Sequence, residues 1–91
     1  MTTILTKIQR KILQGDYDIK EHCLFELAKD GLTIKDALSA ILKAERCIKL
    51  TDNESHVRYE ILGFTKKGRL MIVVVFISQG TVFLKTGYSY D

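Results

Sequence analysis

The spacing of apolar and polar residues changes once along this chain, near residue 45. Before that point apolar residues recur at helical intervals, and after it they alternate or run together as in strands. In residues 4–14, Ile4, Leu5, Ile8 and Ile12 fall on one side of a helix. Gly15 is a natural stop, because glycine accepts the left-handed conformation that follows a helix. Residues 16–20 set Tyr17 and Ile19 among charged neighbours, the mark of a short extended piece. A second helix is predicted from Glu21 to Lys29. Leu24, Leu27 and Ala28 form its apolar face, Glu26, Lys29 and Asp30 stay wet, and Gly31 ends it. Thr33 opens a third helix: its hydroxyl can accept from an unpaired backbone N–H, and Asp36 can reach back in a capping box. Ile34, Ala37, Leu38, Ile41 and Leu42 give this helix the cleanest stripe in the chain, with Lys35, Ser39 and Lys43 on its exposed face.

Past the change of period, Arg46 to Leu50 alternates as a short strand, and residues 51–55 (TDNES) read as a polar turn. Val57 to Phe64 alternates again, and residues 65–68 (TKKG) form a hairpin turn. The continuous apolar run from Arg69 to Ile77 is typical of a strand buried on both faces, hence central in its sheet. Ser78 to Gly80 turns the chain once more, and Thr81 to Tyr88 is the last strand. Short connections make consecutive strands antiparallel neighbours. The fold class predicted is α+β, with N-terminal helices packed on one face of an antiparallel sheet of about four strands. The other face is left partly open, and a site is expected there.

The length of 91 residues allows one domain, 1–91, and 46% hydrophobic content is enough for a small core. A net charge of +3 suits an anionic partner without being a nucleic-acid footprint by itself. Cys23 and Cys47 form no CxxC and sit beside apolar residues, as buried free thiols of a reducing cytoplasm do. No leader-like apolar stretch opens the chain, and the run Leu70 to Ile77 is too short to span a bilayer, so a cytoplasmic location without a membrane partner is expected.

His22 is the first candidate for chemistry. It stands at a helix start, where free N–H groups and a partial positive charge favour a neutral ring able to take a proton. The plainer alternative is a histidine that caps or packs locally. Arg58 and Glu60 share one face of their strand, and Tyr59 and Ile61 share the other. If Tyr59 faces the helices, Arg58 faces the open side, where it can hold a phosphate through two parallel donors or simply pair with a surface acid. His56 lies close by in sequence. On the last strand Val82, Leu84, Thr86 and Tyr88 are expected on one face and Phe83 and Lys85 on the other, which puts Lys85 beside Arg58. Tyr88 and Tyr90 offer rings on which unstacked RNA bases can lie, or which can pack at a sheet edge. Lys7, Arg10 and Lys11, with Gln14, form a basic helix stripe, and Lys66, Lys67 and Arg69 a basic hairpin tip; solvated surfaces commonly look the same. There is no Walker loop, GxGxxG or GxSxG, no acidic cluster suited to Mg²⁺ or Ca²⁺, and no third ligand evident beside the two histidines. No cofactor or metal is expected.

Taken in order, several segments form a recognisable series. These are Ile8–Ile12, Gly15, Tyr17–Ile19, His22 ahead of a helix, Gly31-Leu32-Thr33 before the next, Arg58-Tyr59 with Leu62-Gly63, and Gly68-Arg69-Leu70 before a Val-rich strand. The series resembles domain-of-unknown-function family 4258 over nearly the whole chain. That family usually carries Ser or Thr two residues before the histidine; here the position is Lys20. The family looks related to small bacterial toxins of the RelE, BrnT and MqsR type. The resemblance implies a compact α+β ribonuclease acting on mRNA and blocked by an antitoxin of zinc-finger or helix-turn-helix type. The expectation is then a metal-independent endoribonuclease with His22 as base or acid, Arg58 and Lys85 stabilising the phosphorane, and Tyr88 stacking or acting as acid. Lys7, Arg10, Lys11, Lys66, Lys67 and Arg69 would hold the RNA backbone. The rival expectation is a non-catalytic module that docks a protein through its open sheet face or an edge strand.

Overall fold

The computed structural model describes residues 3–50 and 57–90. The expected turn at 51–55 and His56 lie outside them. The chain runs α1 (Ile4–Leu13), β1 (Tyr17–Ile19), α2 (Glu21–Lys29), α3 (Ile34–Leu42), β2 (Ala44–Leu50), β3 (Arg58–Phe64), β4 (Leu70–Ser78) and β5 (Thr81–Ser89). The fold is α+β, with helices on one face of a sheet ordered β1-β5-β4-β3-β2. β2 to β5 form the expected antiparallel meander, and the apolar β4 is the central strand.

The sheet has five strands and is mixed, not an antiparallel sheet of about four. The fifth is β1, which lies parallel to β5 with Tyr17 opposite Val82 and Ile19 opposite Leu84. The Lys20 amide donates to the Leu84 carbonyl at 3.0 Å, and the Thr81 hydroxyl donates to the Asp16 carboxylate at 2.9 Å. Three residues of alternation mark an extended segment but cannot name a partner some 65 positions away.

Local signals set the helix ends. Thr33 and Asp36 form the full capping box, the Asp36 amide donating to the Thr33 hydroxyl at 3.2 Å and the Thr33 amide to the Asp36 carboxylate at 2.9 Å. Gly15 and Gly31, just past α1 and α2, adopt φ of +77° and +69°, which a side chain would oppose.

Two other glycines decide how closely the helices approach. A Cβ on Gly63 would lie 1.9 Å from the carbonyl oxygen of Ala40, so α3 rests directly on the β3 backbone. A Cβ on Gly87 would meet Leu27 Cδ2 at 2.8 Å, which marks the seat of α2 on β5. Cys23 and Leu27 are therefore the buried pair of α2, while Leu24 and Ala28, expected inside, are exposed. Apolar residues nearly encircle this helix (Cys23, Leu24, Phe25, Leu27, Ala28), so periodicity alone could not choose the buried side. Ile8, Ile41, Ile61, Val73, Val75 and Leu84 fill the core between the layers.

One irregularity redirects β5. Val75 faces Leu84 and Val74 faces Thr86, so Lys85 is an extra residue in the ladder. Val82, Leu84 and Gly87 therefore lie on the helix side, and Phe83, Thr86 and Tyr88 on the open side. The expected grouping of Val82 and Leu84 with Thr86 and Tyr88 assumed unbroken alternation and fails at this bulge. No helix among the described residues is long and apolar enough to cross a membrane.

Candidate functional site on the open sheet face

Strand register arranges the open face in rows that run across the sheet. One row reads Leu50, Arg58, Phe76, Phe83, Asp18; the next reads Ile48, Glu60, Val74, Thr86; the third reads Arg46, Leu62, Ile72, Tyr88. Neighbouring strands lie about 4.8 Å apart and successive rows about 7 Å apart.

The first row holds an aromatic platform. The Phe76 and Phe83 rings stack with centroids 5.2 Å apart and planes 13° from parallel. Lys20, just past β1, brings its Nζ over the Phe83 ring, 4.9 Å from the centroid. Arg58 flanks Phe76 on β3, and Lys85 follows on β5 at the bulge. Across β4, Glu60 and Tyr88 stand on neighbouring rows. Burial, and after it the Glu60 charge, push the Tyr88 phenol above its ordinary value, so the group keeps its proton at neutral pH. A crevice of about 100 Å³ lies beside them, lined by Arg46, Ile48, Glu60, Leu62, Ile72 and Tyr90. The face thus combines stacked rings, four basic side chains (Lys20, Arg46, Arg58 and Lys85), two carboxylates (Asp18 and Glu60) and a protonated phenol on a floor of β4 apolar residues.

The sequence candidates divide by layer. Arg58 belongs to the open face, as expected; Tyr88, expected on the face of Val82 and Leu84, is brought to the open face by the bulge, and Lys85 lies between their rows. His22 is the second residue of α2, which packs against the opposite face of the sheet. Its Nε2 lies 3.5 Å from the Glu26 carboxylate one turn on, and its side chain is 70% exposed. The structure therefore places it in a different layer from Arg58 and Tyr88. Lys20 forms no side-chain cap at this helix start.

Two candidate RNA contacts serve inside the molecule. Lys11 pairs with Asp16 at 3.5 Å and donates to the Gly80 carbonyl, tying α1 to the β4–β5 turn. The Arg69 guanidinium donates to the Asp30 carbonyl at 3.0 Å, at the C-terminal end of α2, and the Asp30 carboxylate accepts the Ser89 amide at 2.7 Å. Lys7, Arg10, Lys66 and Lys67 are exposed, on α1 and the β3–β4 turn, away from the row of stacked rings.

Glu60, the Phe76–Phe83 stack, Lys20 and Arg46 are members of this face that sequence reading missed. Glu60 was visible as a neighbour of Arg58 at strand spacing, but its place near Tyr88 across β4 needs the β3–β4–β5 register. The Phe76–Phe83 stack depends on the same register, and Arg46 gains meaning only from the crevice. Neither cysteine is a ready nucleophile: burial first, with Glu26 second, pushes Cys23 up to about 11, and burial raises Cys47 as well. Among the described residues no group of three His, Cys, Asp or Glu converges on a common point.

No family model, curated protein or solved structure matches the chain. Any functional reading therefore stands on the geometry of this face.

Proposed function

We propose that this chain is the toxin of a bacterial toxin–antitoxin pair, an endoribonuclease acting on mRNA without a metal ion. The observation that supports this most is the stacked Phe76–Phe83 pair on an open sheet face, bordered by Arg58, Lys85, Glu60 and Tyr88. An unpaired base lies on the rings, since stacking on an aromatic platform holds single strands with little sequence preference. The scissile phosphate then sits over β4, between Glu60 on one flanking strand and Tyr88 on the other. Glu60 takes the 2′-OH proton, and the freed oxygen attacks phosphorus to form a 2′,3′-cyclic phosphate. Arg58 and Lys85 stabilise the added negative charge, and Tyr88 gives its proton to the departing 5′-oxygen as the P–O5′ bond breaks. The base in this scheme is Glu60 and not His22, because α2 holds His22 in the other layer.

The test is incubation of the full chain with mixed single-stranded RNA in EDTA, with translating ribosomes as a second arm. Glu60→Gln and Arg58→Ala are each expected to lower cleavage at least about a hundredfold, as loss of a base or a charge stabiliser does. His22→Ala is expected to cleave as the parent chain does. Loss of cleavage in His22→Ala with the fold intact would return the role to the imidazole.

A second reading has its own support. Among the described residues β2 pairs on one side only and exposes Ile48, so it can accept an added strand from a protein partner. Salt separates the two: RNA binding falls steeply with ionic strength, and an added strand is largely indifferent to it.

A further inference from the structure

On the helix side of the molecule, α3 and the β3–β4 turn border a groove of about 330 Å³. It is lined by Lys35, Leu38, Ser39, Leu42, Lys43 and Lys66. Leu38 and Leu42 stand one helical turn apart on its floor. Lys35 and Lys43 mark its two ends along α3, and Lys66 approaches from the turn. Among the described residues every titratable side chain in the lining is a lysine. The groove is thus a short aliphatic trough with positive charge around it.

We propose that this groove docks an acidic, leucine-bearing helical segment of a partner protein. The floor fits leucines at i and i+4 on the facing helix, the spacing by which an amphipathic helix seats in a groove. Acidic residues beside those leucines meet the three lysines, which otherwise repel one another around a single trough. The chemistry differs from that of the open face. Among the described residues the lining has no aromatic ring to stack a base and no arginine fork to hold a phosphate in two bonds, so a peptide fits it better than RNA does.

The proposal does not depend on the RNA reading, and its first test contains no nucleic acid. The probe is a fluorescein-labelled, Ala-rich peptide of about 20 residues, past the length at which an isolated helix is marginal in water, with Leu at i and i+4 and Glu at the flanking positions. It is titrated into the full chain at low salt and followed by anisotropy. Saturable binding is expected, with amide shifts in residues 35–43. The triple variant K35E/K43E/K66E is expected to weaken it at least about tenfold, and a Leu→Ser peptide to bind no more tightly than a scrambled one. The three lysines are exposed, and a thermal melt shows whether the variant keeps its fold. The proposal is overturned by a lack of saturable binding or by binding indifferent to the charge reversal. Displacement of the bound peptide by single-stranded RNA also overturns it, and assigns the groove to nucleic acid.

Discussion

Met71, Val73, Val75 and Ile77 project from one face of β4, and Ile72, Val74 and Phe76 from the other, yet helices cover only the first face. The side chains on the two faces are similarly apolar. What differs lies on the flanking strands. On the covered side β3 and β5 present Gly63 and Gly87, which let Ala40 and Leu27 come down to the sheet. On the open side the same strands present Arg58, Glu60, Phe83 and Tyr88, too large and too polar to lie under a helix. A sheet with a uniformly apolar central strand is thus made two-sided by its neighbours, and the side closed to helices is the one that carries the polar and aromatic side chains.

Gly63→Ala strikes this contrast hardest. The clash is with the backbone of α3, which cannot rotate away, so a loss of about 4 kcal/mol or more is expected in chemical denaturation, enough to unfold a domain of this size at moderate temperature. Gly87→Ala clashes with the tip of Leu27 and otherwise makes ordinary contacts with Leu27 Cγ and Cys23 Sγ; the Leu27 rotamer can change, and a loss of about 1–2 kcal/mol is expected. Equal losses at the two glycines would mean that the seats of α2 and α3 are equally rigid and would break the distinction between them.

Phe83→Ala on the open face makes a complementary test. It is expected to weaken single-stranded RNA binding by about 1–3 kcal/mol, while the melting temperature moves less than for Gly63→Ala. A large fall in melting temperature without a change in RNA binding would make the stacked rings a structural element only.

Alkaline titration probes the covered side. The Cys23 thiol is raised from 9.0 to about 11, chiefly by burial, so the folded state holds its proton more tightly than the unfolded chain. Its contribution to stability is complete below pH 9 and is lost as pH rises through about 11. Cys23→Ala is expected to flatten the stability curve in that window, as read by urea unfolding; an unchanged slope would place the alkaline loss elsewhere.

The smallest effect is expected at a helix start. Thr33→Ala removes the capping oxygen of α3 and should lower stability by about 1 kcal/mol without altering RNA binding, by calorimetry and anisotropy respectively. A change in RNA binding would show that the two layers are coupled.

Much of this architecture was legible in the chain because it follows from contacts within one helix or between consecutive strands. The Thr33–Asp36 box, the glycine stops and the central place of β4 are all written within a dozen residues of where they act, and so is part of the α3 stripe: Ala37 and Ile41 are buried as expected, but Ile34 and Leu42 are exposed and Ala40 is buried in their stead. Arg58 on the open face was legible for the same reason, once Tyr59 was assigned to the core. The remainder depended on contacts between distant segments. The parallel partner of β1, the buried side of α2, the bulge at Lys85 that turns Tyr88 to the open face and the separation of His22 from Arg58 were all decided by tertiary structure. Local periodicity reports which residues share a face. Which face is covered, and where a ladder slips by one residue, depends on the steric fit of two backbones, and only the folded chain brings them together.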